Sequence, residues 1–310
     1  MKPRLYMTIG LSGSGKTRAT EYISDESVKI LSSDAIRKEL FGDEGFQGDN
    51  EKVFSTLNKR VKEELLNGNS VVYDATNLSY KKRTHFLKQY LRKVDCVKVA
   101  WVFVTPVHIC IENDSKRERT VGREVIMKQL KRFNFPLFQE GFDEIKLRHM
   151  EFFTFSEDDE FMKSRDYYMS FKQENKNHSL TLGWHMIKTS GRLIDKYGYV
   201  EKPELILAGR LHDIGKPITK SFTNTKGEIT ENATYYSHDN VSAYLSMFYY
   251  DSVKSELNYL EFIRMVQLIN WHMKPYFFEK EKTVVRYKNF LGEEFFNDLM
   301  ELHEADKLAH

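Results

Sequence analysis

Residues 10–17 read Gly-Leu-Ser-Gly-Ser-Gly-Lys-Thr, a full match to G-x-x-x-x-G-K-[ST]. An apolar, β-branched run, Arg4–Ile9, leads into the motif, and a helical stretch, Thr17–Ile23, leaves it. Few folds place a glycine-rich loop between a strand and a helix in this way. The glycines let backbone N–H groups turn inward around phosphate oxygens, and the helix N-terminus adds its partial positive charge. Gly10, Ser12, Gly13, Ser14, Gly15, Lys16 and Thr17 are therefore the expected nucleotide-binding residues. Lys16 is expected to reach the β- and γ-phosphates, and Thr17 to offer its hydroxyl to Mg²⁺. The motif implies ATP or another nucleoside triphosphate. A glycine-rich turn without a ligand is the alternative, and the acceptor stays open.

The residues that follow extend the strand–helix alternation. Val28–Leu31, Ser70–Tyr73 and Cys96–Val104 have strand character, and Ala35–Phe41, Val53–Leu66, Lys81–Leu91 and Val107–Ser115 have helical character. This pattern predicts an α/β domain, a parallel sheet flanked by helices. Beyond about Arg148 the strands give way to long helical segments: His178–Tyr197, Pro203–Asp213, Asn240–Tyr249, Leu257–Met273 and Glu293–Leu308. An all-α second domain is expected, with a polar turn or small hairpin at Thr223–Thr230. The boundary is placed near Phe155, giving domains 1–155 and 156–310, with the acidic run Ser156–Glu160 as linker.

Composition sets limits on the class of protein. With 41% hydrophobic and 30% charged residues, the chain is neither disordered nor low-complexity. No apolar run approaches the ~18 residues of a membrane span, and the N-terminus lacks a signal-peptide pattern. The two cysteines, Cys96 and Cys110, have no metal-pair spacing, so a cytoplasmic location without membrane attachment is expected. Residues 1–155 carry 27 Lys+Arg against 21 Asp+Glu, and the remainder 20 against 24. A basic half beside an acidic one suggests modules that face a polyanion differently; ordinary variation between solvated surfaces is the alternative.

Several charged residues surround the loop in sequence order. Asp34, in SSDAIRKEL, follows the second strand, where a carboxylate can accept a hydroxyl proton near a γ-phosphate. Arg37, one helical turn on, is placed to hold an acceptor phosphate. A helix-capping Asp with a surface Arg is the competing assignment. Asp74 ends the third strand and is either a Mg²⁺-side acid or another cap. The basic segment 113–126, containing Arg117 and Arg119, follows the strongest strand, where it can form a lid over a triphosphate or a solvated helix face. Taken together, GLSGSGKT, SSDAIRKEL, DATN with KKR, and N-x-x-x-R-x-R-x-V resemble the polynucleotide 5′-kinases of phage and bacterial end-repair enzymes. The resemblance spans essentially residues 1–135. It implies that Asp34 is the general base, that Arg37 binds the phosphate on the acceptor's 3′ side, and that Arg117 and Arg119 are lid arginines. Gly122 departs from the pattern, which has proline after the valine.

The second half is rich in histidine. His212-Asp213, in LHDIGKP, can present an imidazole and a carboxylate to one metal at a helix end. His185, His238, His272 and Asp306 lie in other helical segments. A lone histidine is more often a structural residue, but several around an HDIGK run are harder to dismiss. The order H…HD…H…H…D resembles the HD phosphohydrolase superfamily, an all-helical metal-dependent fold, over roughly residues 165–310. QENKNHSLTLGWHM and LHEADKLAH are similar to the HD domains attached to bacterial tRNA nucleotidyltransferases. The resemblance implies that His185, His212, Asp213 and Asp306 bind a first metal. His238 and His272 would complete a second site or contact phosphate, and Lys216 would steady the scissile phosphate. One or two divalent transition ions are expected: Mn²⁺, Fe²⁺, Co²⁺ or Ni²⁺.

A kinase and a phosphohydrolase in one chain are complementary if they act on different ends. The expected activity is healing of nucleic-acid ends, RNA rather than DNA, by NTP-dependent phosphorylation of a 5′-OH and removal of a 2′ or 3′ phosphate. A separate RNA ligase is the expected companion. A small-molecule or nucleoside kinase joined to an HD nucleotidase is the second expectation, and a nucleotide-gated RNA-binding protein the third.

Overall fold

The computed structural model describes residues 2–21, 23, 28–46, 48–149, 160–176 and 179–309. The chain forms two compact units: one of Met1–Gln129 and Pro136–Phe152, the other of Leu130–Phe135 and Phe153–His310. The expected boundary near Phe155 and most of the expected linker lie outside the described residues, as do His178 and His310.

In the first unit β1 (Arg4–Ile9), β2 (Val28–Ser32), β3 (Ser70–Asp74), β4 (Val97–Val104) and β5 (Glu144–His149) form a parallel sheet in the order β2-β3-β1-β4-β5. Burial explains the order. From Val99 onward β4 is buried along its length, as is β3 after Ser70, matching strands covered on both faces. β2 and β5 stand at the edges and keep exposed residues. β5, sequence EIKLRH, has no counterpart in the sequence-based assignment, because an edge strand needs little apolar character. The central strand β1 has β3 on one side and β4 on the other, and the chain reverses direction across the sheet there. The loop leaving β1 thus emerges at a switch point of the strand order, where ligands bind in open α/β sheets. The helix expected over Lys81–Leu91 divides into Tyr80–His85 and a wider π turn, Phe86–Tyr90. Below it Arg83 and Glu140 form a fully buried two-point ion pair, at 2.8 and 2.7 Å.

The second unit is built chiefly from helices Leu182–Tyr197, Pro203–Leu211, His238–Ser246, Tyr259–Trp271 and Glu293–Lys307. Pro203–Leu211 packs on Leu182–Tyr197, Tyr259–Trp271 and Glu293–Lys307, and His238–Ser246 packs on Tyr259–Trp271. The unit is not purely helical. β6 (Ser221–Thr223) and β7 (Ile229–Thr234) form an antiparallel hairpin, because the alternating ITENAT suits a two-faced ribbon better than a helix. Helices Arg165–Ser170 and Glu281–Leu291 also lie outside the sequence-based assignment. Leu130–Phe135 belongs to this core: the Phe133 ring meets Tyr244 edge-on at 5.0 Å, and the Phe135 N–H donates to Asn270 Oδ1. Gly215 sets one spacing that matters later. A Cβ there would come within 2.6 Å of the Ser242 nitrogen and 2.7 Å of the His238 carbonyl, so only glycine allows helix His238–Ser246 to lie this close to the HDIGK turn.

Candidate functional site

The phosphate loop occupies the C-terminal end of β1. Gly13 and Gly15 take φ of 78° and 82°, in the left-handed region that favours glycine. A side chain at Gly13 would also collide with the Cys110 carbonyl. The buried Lys16 ammonium donates to the carbonyls of Gly10 (3.0 Å) and Leu11 (2.6 Å). Burial pulls its pKa down to about 8, against the attraction of Asp74. The Thr17 hydroxyl donates to Asp74 Oδ2 at 3.0 Å, and the Thr8 hydroxyl lies 3.3 Å from Asp74 Oδ1. Burial raises the Asp74 pKa despite these donors and Lys16. Asp74 is therefore not a helix cap, since its carboxylate faces the Thr17 hydroxyl.

Three residues that the sequence motif does not include hold the loop from outside. Gln129 accepts from the Ser12 N–H and donates to the Ser12 hydroxyl, Asn113 donates to the Gly13 carbonyl, and Thr105 to the Ser14 carbonyl. They lie about 90–120 residues away; Asn113 opens the N-x-x-x-R-x-R-x-V segment, while Thr105 and Gln129 belong to no motif read from the sequence.

Asp34 is the second residue of helix Ser33–Phe41. The cap is Ser32, whose hydroxyl accepts from the Ala35 N–H. Asp34 is largely exposed; its Oδ1 is held by Arg37 Nη1 at 2.6 Å, while Arg37, itself buried, donates from Nη2 to Asn50. The charge of Asp34 is felt at both Lys16 and Asp74, so the three share one electrostatic field. Arg117 contributes to that field at Lys16. Arg117 and Arg119 sit on an exposed turn, with the Arg119 guanidinium against Gly45. The buried Asp114 fixes this turn by accepting from the Val121 and Gly122 N–H groups. Gly122 adopts φ 84°, which a proline ring locked near about −65° cannot take.

In the second unit the structure gathers His185, His212, Asp213, His238, His272 and Asp306. Both His212 and His272 directly follow helices, Pro203–Leu211 and Tyr259–Trp271. His238 opens helix His238–Ser246, and Asp306 lies in the last turn of Glu293–Lys307. His185, expected in mid-helix, sits in the first turn of Leu182–Tyr197, because the helix begins after Thr181 rather than at His178.

The ligand atoms form two groups. Around His185 Nε2, His212 Nε2 and Asp306 Oδ1 the separations are 3.3, 3.0 and 3.5 Å, and Asp213 Oδ2 lies 3.3 Å from both imidazoles. Around Asp213 Oδ1, His238 Nε2 and His272 Nε2 they are 3.1, 3.7 and 3.1 Å. An ion held at about 2.1 Å by such ligands would set neighbouring ligand atoms roughly 3.0–3.4 Å apart; six of these eight separations fall in that range, and His212–Asp306 and His272–Asp213 are longer. The Asp213 carboxylate faces both groups, one oxygen to each. This differs from the sequence-based division, which assigned Asp213 to the first group alone.

The hydrogen bonds explain what the space requires. The Nδ1 atoms of His212, His238 and His272 lie 2.9, 2.7 and 2.7 Å from the carbonyls of Gly209, Tyr235 and Ile269. A carbonyl only accepts, so each Nδ1 carries a proton and each Nε2 faces inward, free to bind a cation whenever it is deprotonated. Two lone pairs 3.1 Å apart, on His238 and His272, repel unless a proton or a cation lies between them. Burial, with His212 and His238 nearby, pushes His272 down to about 3, which disfavours a proton on that ring. At His212 burial also opposes charge, but Asp213 and Asp306 outweigh it and raise the pKa to about 10. Burial alone would raise the Asp213 pKa; His212 and Lys216 hold it well below the usual range. Each group could therefore hold a divalent ion.

Lys216 is buried, with Nζ 2.7 Å from Asp213 Oδ2 and donating to Gln173 Oε1 at 2.8 Å. The Tyr276 hydroxyl donates to Asp306 Oδ2, leaving Oδ1 for the cluster. Neither Gln173 nor Tyr276 was a sequence-based candidate, since amides and phenols carry no ligand signature. A cavity of about 840 Å³ opens on the cluster.

Residues 5–136 match the family model described as an AAA domain. No curated protein matches this chain. A chain of the Pnkp1/Rnl/Hen1 RNA repair complex is similar at 21% identity over 42% of this chain and 43% of that chain, with a TM-score of 0.37. A second Pnkp1/Rnl/Hen1 complex gives 25% identity over 38% and 40%, with a TM-score of 0.32. The matched part thus spans less than half of either chain. With its five-stranded parallel sheet and phosphate loop, the first unit has a P-loop kinase fold, which in general uses a nucleoside triphosphate and Mg²⁺. Among the described residues, no helix is long and apolar enough to cross a membrane.

Proposed function

We propose that this chain heals broken nucleic-acid ends, RNA in preference to DNA, in the cytoplasm. The first unit would phosphorylate a 5′-OH from ATP or another NTP. The second would be an HD-type phosphohydrolase that removes phosphate from the 2′ or 3′ end. The carrying observation is the coexistence in one chain of an intact phosphate loop and a buried cluster of four imidazoles and two carboxylates. Transfer and hydrolysis on one ester would cancel, whereas on opposite ends they prepare the 5′-phosphate and 3′-OH that a separate RNA ligase needs.

In the kinase site, Lys16 would exchange its carbonyl partners for phosphate oxygens, and Thr17 would turn its hydroxyl from Asp74 towards the cation. Asp34 would take the proton of the acceptor hydroxyl on Oδ2, because Arg37 holds Oδ1. The same Arg37 would meet the neighbouring acceptor phosphate, and Arg117 and Arg119 would close over the triphosphate. Mg²⁺, when bound, would neutralise charge developing on the transferred phosphoryl group.

The second site fits a pair of transition ions by its donor set, its spacing and its inward-facing Nε2 atoms. His185, His212 and Asp306 would hold one, His238 and His272 the other, with Asp213 shared. Bound there, the ions would supply Lewis acidity and lower the pKa of water. Lys216 would steady the scissile phosphate from beside Asp213.

The test incubates the protein with ATP, Mg²⁺, Mn²⁺ and an RNA bearing a 5′-OH and a 3′-phosphate, and weighs both ends by mass spectrometry. The 5′ end should gain a phosphate and the 3′ end lose one. Nucleosides phosphorylated as well as oligonucleotides would favour a small-molecule kinase joined to a nucleotidase.

A further inference from the structure

The floor of the 840 Å³ cavity is the metal cluster, through Asp213, His238, His272 and Asp306. A site for phosphate alone would need only donors around that floor. The walls instead carry aromatic rings: Tyr236, 50% exposed, Tyr276, 41%, and Phe277, 68%. Tyr276 is pinned by its hydroxyl bond to Asp306 and by an edge-on contact with His303 at 4.4 Å and 89°. Phe277 follows it directly on the short 3₁₀ turn Pro275–Phe277, so its position is tied to the cluster through Tyr276. Tyr236 lies two residues before His238, whose ring is itself held by the Tyr235 carbonyl. Tyr236 is thus tied to His238 by its place in the chain, and Phe277 to Asp306 through Tyr276. Lys274 and Lys307 add positive charge to the same lining.

We infer that this cavity binds the terminal nucleotide that carries the phosphomonoester, its base stacked on Phe277 and Tyr236 and its phosphate at the cluster. Lys274 and Lys307 attract the adjoining backbone phosphate. This inference rests on the phosphohydrolase reading and gives it a substrate class: nucleobase-bearing esters above simple ones. Stacking reads the π-face that every base has, so the site is tolerant of sequence. A cavity of this size accommodates one nucleotide, within the roughly 300–1,000 Å³ range of ligand pockets.

The test uses two tetranucleotides with a 3′-phosphate, identical except that one ends in adenosine and the other in an abasic ribose. Adenosine 3′-monophosphate and glycerol phosphate form a second pair. Hydrolysis is followed with Mn²⁺-loaded protein, and binding by calorimetry with chelator-treated protein, where turnover is prevented. The base-bearing member of each pair should be favoured about 5–150-fold, the range that base–aromatic stacking supplies. Tyr236→Ala with Phe277→Ala should collapse the preference to within about twofold, and Tyr236→Trp with Phe277→Trp should retain it. A larger preference in the tetranucleotide pair assigns the site to polynucleotide ends, and an equal one to free nucleotides as well. Hydrolysis of both members without preference would overturn the subsite and leave the phosphohydrolase standing. Base-selective binding without hydrolysis would keep the subsite and remove the phosphohydrolase. Equal binding of both members overturns the inference.

Discussion

Replacing Asp213 should empty both halves of the proposed metal centre at once. Its Oδ2 lies 3.3 Å from the imidazoles of His185 and His212, and its Oδ1 lies 3.1 and 3.7 Å from those of His238 and His272. No other residue of the cluster faces both groups in this way. Wild-type protein loaded with Mn²⁺ should carry about two ions per chain, by the count of ligand groups. His272→Ala removes a ligand from one group only and should leave about one ion, as should His185→Ala from the other. Asp213→Ala should leave nearly none. Even outer-shell partners of metal ligands are worth about 10–100-fold in affinity, so loss of a charged ligand common to two ions should exceed that at each. Asp213→Ala also leaves the Lys216 ammonium, 2.7 Å away, without its carboxylate, which can destabilise the fold. Asp213→Asn, close in shape, separates the two effects. Elemental analysis after desalting reads the outcome, with circular dichroism to check folding. One ion retained in folded Asp213→Asn would show that the carboxylate serves a single group, and two would remove Asp213 from the ligand set.

Three other outcomes follow from geometry already described. Glu140→Ala strands the buried Arg83 guanidinium and should cost about 3–5 kcal/mol, which lowers the melting temperature by roughly 6–20 °C; Arg83→Met with Glu140→Leu should recover most of it. A loss under about 1 kcal/mol would mean that water reaches the pair. Metal affinity should rise with pH, because the raised His212 pKa, about 10, keeps that ring protonated in the metal-free protein. The sign follows from linkage: the proton's contribution to metal-free stability is complete below about pH 6.5 and lost as pH climbs to 10. Mn²⁺ titrations from pH 6.5 to 9 should therefore show tightening and proton release, and a pH-independent affinity would contradict it. In the kinase site, Asp34→Ala should lower the rate about 10²–10⁴-fold, and Arg37→Ala should harm both kcat and acceptor KM, because Arg37 grips the proposed base as well as facing the acceptor. Steady-state kinetics with a 5′-OH oligonucleotide test this, and near-full turnover by Asp34→Ala would remove it as general base.

The phosphate loop was legible in the sequence because its chemistry is local: eight consecutive residues supply the turn, the amine and the hydroxyl. The six cluster residues were legible as residue types, but not in their division into groups. Which oxygen of Asp213 faces which imidazole depends on how closely two helices approach, and Gly215 sets that distance without any ligand signature. Tyr276 and Gln173 were hidden for a related reason, since each acts on a ligand or on Lys216 rather than as a ligand. β5 was missed because EIKLRH borrows its order from β4 instead of from its own apolar pattern. No local pattern links Arg83 and Glu140, which the fold brings from 57 positions apart into one dry contact.

Leu130–Phe135 carries a consequence for how the protein is made. Six residues synthesised before the first unit's last strand belong to the core of the second. While the second half is still in the ribosome, Phe133 and Phe135 have no Tyr244 or Asn270 to meet. Two large apolar rings then stay in solvent until helices far downstream emerge, a natural target for holding chaperones during translation. The same interleaving means that cutting the gene near codon 155 yields no clean pair of halves. The front piece would keep a sticky segment, and the back piece would lack part of its core. An excised second half would need those six residues restored, for instance through a circular permutation or as an added peptide.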